Sequence, residues 1–116
     1  MILLVEDEDV RHEWFRRHLQ MEDLHLTKDV DEAIFWLGLD HHHFESLWLD
    51  HDLGTEPKVG RDVATWLIRH PSKQPDLHVY VHSVNVVSGP KIVQELIQAG
   101  RPATLIPFTR LKSMLP

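Results

Sequence analysis

Apolar and polar positions along the chain alternate between two periods. Ile2 to Val5 is a short continuous β-favouring run, the pattern of a strand covered on both faces. Glu8 to Gln20 then carries Val10, Trp14, Phe15 and Leu19 at helical spacing. The same pairing recurs. Leu24 to Thr27 reads as a short strand and Asp31 to Leu39 as a helix with Ile34 and Leu37 on its stripe, Asp31 being its cap candidate. Ser46 to Leu49 predicts a buried strand that ends at Asp50, and a polar, glycine-bearing stretch from His51 to Gly60 precedes the helical pattern Val63, Trp66, Leu67. Pro71 and Pro75 bracket a turn. Leu77 to Val81 is strongly β-favouring, Gly89 to Ala99 is helical through Ile92, Val93, Leu96 and Ile97, and Gly100 stops it. Ala103 to Ile106 predicts a fifth strand, and Thr109 to Pro116 leaves room for only a shortened last helix. Five strands alternating with helices predict an α/β fold: a doubly wound, mostly parallel sheet with right-handed crossovers and helices on both faces.

Composition narrows the picture. The 116 residues fit one domain, residues 1–116, and show no repeat, low-complexity tract or linker. An apolar fraction of 42% and a charged fraction of 26% argue against wholesale disorder. Cysteine is absent, which excludes disulfide frameworks, thiolate zinc sites and cysteine nucleophiles and fits a cytoplasmic setting. No apolar run approaches membrane-spanning length, so no membrane partner is expected. Charge is uneven: residues 1–60 hold 5 basic and 15 acidic side chains, residues 61–116 hold 7 and 3. That balance argues against duplex DNA, whose affinity rests on Lys and Arg releasing counterions.

The acids are placed where an open α/β sheet keeps its binding crevice, beyond the carboxyl ends of the strands. Glu6 and Asp7 follow the first strand, Asp50 and Asp52 the third, and Ser83 the fourth. Clustered carboxylates cannot all ionise cheaply, since two unit charges 4 Å apart repel by about 4 kcal/mol at an effective dielectric near 20. A cation resolves the conflict, and Glu6, Asp7, Asp50 and Asp52 are hard oxygen ligands suited to Mg²⁺. His51 as an added ligand widens the choice to Mn²⁺, Fe²⁺ or Zn²⁺. The plainer readings are that Glu6 and Asp7 are solvated acids favoured by a helix dipole, that Asp50 caps a loop, and that Ser83 is a turn hydroxyl.

These residues resemble the receiver domain of bacterial response regulators. ILLVEDEDV looks like the receiver opening with its two metal-holding acids, SLWLD like the third strand ending in the phospho-accepting aspartate, and AGRPATLIPF like the closing segment. The resemblance implies a flavodoxin-like sheet of order 2-1-3-4-5, Glu6 and Asp7 on the metal (Mg²⁺ or Mn²⁺), Asp50 as acceptor and Ser83 in VYVHS on the phosphoryl group. Two departures stand out. Ile106 occupies the place of the phosphate-contacting lysine, and LDHDLG and VHS add His51, Asp52 and His82. With these the chain looks like the divergent branch of cyclic-phosphate-processing receivers, which implies phosphoester chemistry in place of relay signalling.

Strand side chains alternate faces. Regular pairing puts Asp50, Asp52 and Ser83 on the site face and His51 and His82 on the other. A sharp turn after Asp50 brings the histidines in, as general acid, base or phosphate-contacting cation. The His41, His42, His43 run is expected to be an exposed loop, and Trp14, Trp36, Trp48 and Trp66 to be packing residues. Ser88, Gly89, Pro90 and Lys91 make only a weak phosphate cradle.

The function expected is a metal-dependent phosphoesterase acting on a phosphorylated small molecule or an RNA end. The rivals are a phospho-accepting signalling module and a protein that binds a nucleotide messenger without turnover. The short tail after Phe108 leaves a bare surface beside the fifth strand that a second copy, in a homodimer, would cover.

Overall fold

The computed structural model describes residues 1–19, 24–50, 59–83 and 87–114. The elements run β1 (Ile2–Val5), α1 (Asp9–Leu19), β2 (Leu24–Thr27), α2 (Val30–Gly38), β3 (Ser46–Leu49), α3 (Gly60–Arg69), β4 (His78–Val81), α4 (Ser88–Gln98), β5 (Ala103–Leu105) and α5 (Phe108–Met114). All four strand pairs are parallel, and the sheet order is β2-β1-β3-β4-β5. This is the flavodoxin-like order, whose switch point lies between β1 and β3.

Side-chain alternation divides the core into two layers. Leu3, Val5, Leu47, Leu49, Val79 and Val81 face α2, α3 and α4, meeting Val30, Ala33, Leu37, Val63, Leu67, Ile92 and Leu96. Ile2, Leu4 and Trp48 face the other way, onto Phe15 of α1 and Phe108 and Leu111 of α5. Trp48 is buried there, and Trp14, Trp36 and Trp66 are half-buried, each packed against a core layer as packing residues should be. Val10 and Ile97, apolar by pattern, are mostly exposed, because each lies past the edge of its helix's buried stripe.

The cap of α2 is Asp29, two residues earlier than the Asp31 expected from the pattern: its carboxylate accepts from the Glu32 N–H at 2.8 Å. Val30, fully buried, is the first apolar residue of the stripe, and it draws the helix start back. Asp29→Ala is expected to cost about 1 kcal/mol in urea denaturation. Gly100 ends α4 at φ 87°, a backbone angle that residues with a Cβ rarely adopt, and Arg101 N–H closes on Leu96 O at 2.9 Å. The turn sends Arg101 inward, where its guanidinium donates to the carbonyls of Leu67, His70, Lys73 and Gln74. His41 and His43 are exposed and His42 is half-buried against Trp36. Among the described helices, none is long and apolar enough to cross a membrane.

Candidate functional site

The register of the three central strands builds the site. Val5 pairs with Leu49 and Leu49 with Val81, and the ladder runs one residue further, with Asp50 N–H donating to Val5 O (3.1 Å) and His82 N–H to Leu49 O (3.0 Å). Glu6, Asp50 and His82 are therefore neighbours across β1, β3 and β4, on the same face as Leu4, Trp48 and Tyr80. One ligand atom from each lies within 4.8 Å of the others, and all three residues are buried. This corrects the expectation that His82 falls on the face opposite Asp50. Asp50 aligns with His82, and no sharp turn is needed to bring them together.

His82 Nε2 is 3.0 Å from Glu6 Oε1, and its ring rests against Phe15 at a centroid distance of 4.9 Å. Burial without a compensating hydrogen bond on Nδ1 among the described residues pushes the His82 pKa down to about 4, so the ring is neutral at pH 7. Nε2–H then donates to Glu6. Burial also raises the Glu6 carboxyl above its ordinary range, against the lowering effect of the Glu8 N–H and Arg11. Asp50 is pushed up to about 6, first by burial and then by the charge of Glu6. These shifts record a site short of positive charge.

Asp7 is half-buried, and its side chain hydrogen-bonds to that of Glu6, which also raises the Glu6 pKa. Ser83, expected on the same face as Asp50, is instead buried one residue past His82 on the side of α4, because the register that aligns His82 with Asp50 turns the next residue to the opposite layer; a Cβ on Gly89 would stand 4.0 Å from Ser83 Cβ and 3.1 Å from Leu105 Cδ1. His51 and Asp52 lie outside the described residues. Ile106 packs its side chain into the apolar layer under α1 and α5 and brings no charge to the strand ends.

Two functional candidates were not foreseen from the sequence. Arg11, on the first turn of α1, places Nη1 3.4 Å from Glu6 Oε1 and 3.6 Å from Asp50 Oδ2. His12, buried next to it, bonds through Nε2 to the main-chain oxygen of Glu6. The available signal was weak: both lie within six residues of Glu6, and only the rotation of α1 about its axis decides which of its side chains turn to the strand ends.

A five-stranded 2-1-3-4-5 sheet with an acid at the ends of both β1 and β3 defines a receiver-type domain. The sequence matches the family model described as the cyclic-phosphate processing receiver domain over residues 1–98, and the chain belongs to that family. Its structure is similar to the signal receiver domain of a putative LuxO repressor protein from Vibrio parahaemolyticus, at 20% identity over 97% of this chain and 84% of that one, with a TM-score of 0.66. The non-phosphorylated HemR receiver domain from Leptospira biflexa is 21% identical, covers 97% and 90% of the two chains, and gives a TM-score of 0.64. The response regulator TrrA from Thermotoga maritima, in complex with Mg²⁺ and BeF, is 18% identical over 97% and 93%, with a TM-score of 0.63. At such identities the likeness is one of fold. No curated protein matches the chain significantly.

Proposed function

We propose that this domain binds a divalent cation between Glu6, Asp50 and His82 and acts on a phosphate ester, with the cyclic phosphate of a nucleotide or RNA end as substrate. The supporting observation is the convergence of two buried carboxylates and a neutral imidazole within 4.8 Å at the switch point of the sheet. The spacing would let Glu6, Asp50 and His82 reach one divalent ion together. Two oxygen donors and one nitrogen favour Mn²⁺ over Mg²⁺, because imidazole is the softer ligand.

Such a cation supplies Lewis-acid polarisation of a phosphoryl oxygen. Glu6 and Asp50 would hold it through oxygen, with Asp7, bonded to Glu6, bracing the first of them. His82 offers its Nε2 lone pair once the ring proton sits on Nδ1. His51 and Ser83 flank the cluster in the sequence, and His51 is assigned the proton transfer that accompanies water attack and departure of the ring oxygen.

With Mn²⁺ present, the protein is expected to open a 2′,3′-cyclic nucleotide to a monoester. Asp50→Ala and His82→Ala should lower kcat/KM by about 100-fold or more, the usual scale for losing a metal ligand or a general base. Rates equal to wild type in both variants would contradict the assignment. Incubation with a small phosphodonor separates this reading from phosphoryl relay: a stable acyl-phosphate on Asp50 in the intact mass, without ring opening, favours relay.

A further inference from the structure

Phosphate chemistry needs a fixed positive charge on the substrate side of the site, and Ile106 supplies none at the end of β5. Lys91, on α4, is exposed, and His82 is sealed against Phe15. The guanidinium of Arg11 has the required placement. Its Nη1 touches both carboxylates, its Nε is 3.2 Å from Glu8 Oε2, and its Cζ stands 4.7 Å from the Phe108 ring centroid. Those contacts fix the plane of the group. Its Nη2 makes no hydrogen bond among the described residues, and the side chain remains 16% exposed. An arginine placed over an aromatic ring, with Nη1 on carboxylates and Nη2 free of hydrogen bonds to the described residues, is preorganised for the paired oxygens of a phosphoryl group.

We infer that Arg11 is the phosphate-contacting residue of this domain, holding substrate oxygens through its Nη2 edge while Nη1 stays on Glu6 and Asp50. This rests on the phosphoester reading of the same site.

Calorimetric titration of wild type, Arg11→Gln and Arg11→Lys with inorganic phosphate, and separately with Mn²⁺, tests it. Arg11→Gln should weaken phosphate binding by about tenfold or more, with Arg11→Lys intermediate because it keeps the charge and loses the fork. Mn²⁺ affinity should hold or rise in Arg11→Gln, since a cation competing for the carboxylates has gone. A merely structural arginine would instead weaken phosphate and Mn²⁺ binding together, and that result overturns the assignment, as does unchanged phosphate binding in Arg11→Gln or no phosphate binding by wild type. Thermal unfolding verifies that the variants fold, and Arg11→Lys carries the test if Arg11→Gln does not. Wild type that binds phosphate through Arg11 yet opens no cyclic phosphate sinks the proposed function and leaves this inference standing. Ring opening that Arg11→Gln performs as fast as wild type, with equal phosphate binding, sinks only the inference.

Discussion

Asp50→Asn is expected to stabilise the cation-free protein by about 2 kcal/mol at pH 7.5, an unusual direction for a buried polar site. The Asp50 carboxyl is held at about 6 against an ordinary 3.8, first by burial and then by Glu6. Between those two values the folded state binds more protons than the unfolded one, so stability falls as pH rises through the window and stays low above it. Asparagine has the same shape, carries no charge and keeps an oxygen facing Arg11. Its advantage should thus be full above about pH 6.5 and fade below about pH 4. The full shift corresponds to about 3 kcal/mol with the pull of Arg11 already counted in it, and the gain is smaller because the buried asparagine amide keeps a desolvation cost of its own. Urea denaturation with chelator at pH 4.5 and 7.5 measures the effect; equal stability of the two proteins at pH 7.5 would show that burial of this carboxyl carries no cost. Mn²⁺ should reverse the order, since a ligand that binds only the folded wild type stabilises it by mass action.

The second large effect is structural. Arg101→Met should cost about 3–5 kcal/mol, because a guanidinium donating to four carbonyls is replaced by a side chain that satisfies none of them. Two of those carbonyls, Leu67 and His70, lie at the end of α3, where a cation also meets the negative end of the helix dipole. The other two, Lys73 and Gln74, belong to the turn that leads into β4. Gln74, at φ 51°, ties that turn to α2 through Leu37 O and to the chain before β3 through Phe44 N. Arg101→Lys should recover only part of the loss, since an ammonium has three donors and no planar fork. The urea midpoint, followed by circular dichroism, is the measurement, and a loss below about 1 kcal/mol would mean that water replaces the guanidinium at these carbonyls. Because His82 directly follows β4, loosening this turn should also reduce cation affinity.

Strand and helix alternation was legible because each period reflects burial that a single element undergoes by itself. Ile2–Val5 and, within β3, Leu47–Leu49 are covered on both faces, so these runs are apolar without interruption. The acids at their ends, Glu6 and Asp50, could be picked out for the same reason: parallel strands end at a common edge, and the first polar residue after each run must stand there. The face that His82 presents was another matter. Alternation is defined within a strand, whereas its phase relative to the next strand depends on pairing register, and β3 and β4 are joined through a whole helix that leaves this register open. Only the pairing of Leu49 with Val81 put His82 beside Asp50. Arg11 stayed hidden on similar grounds, because the rotation of α1 is decided by how Phe15 seats against Trp48 and Phe108, contacts between residues distant in the chain. Local pattern thus determined the elements and the edge where chemistry gathers, while long-range packing chose the partners that meet there, since the relative phase of two elements is a property of their interface and of neither sequence segment alone.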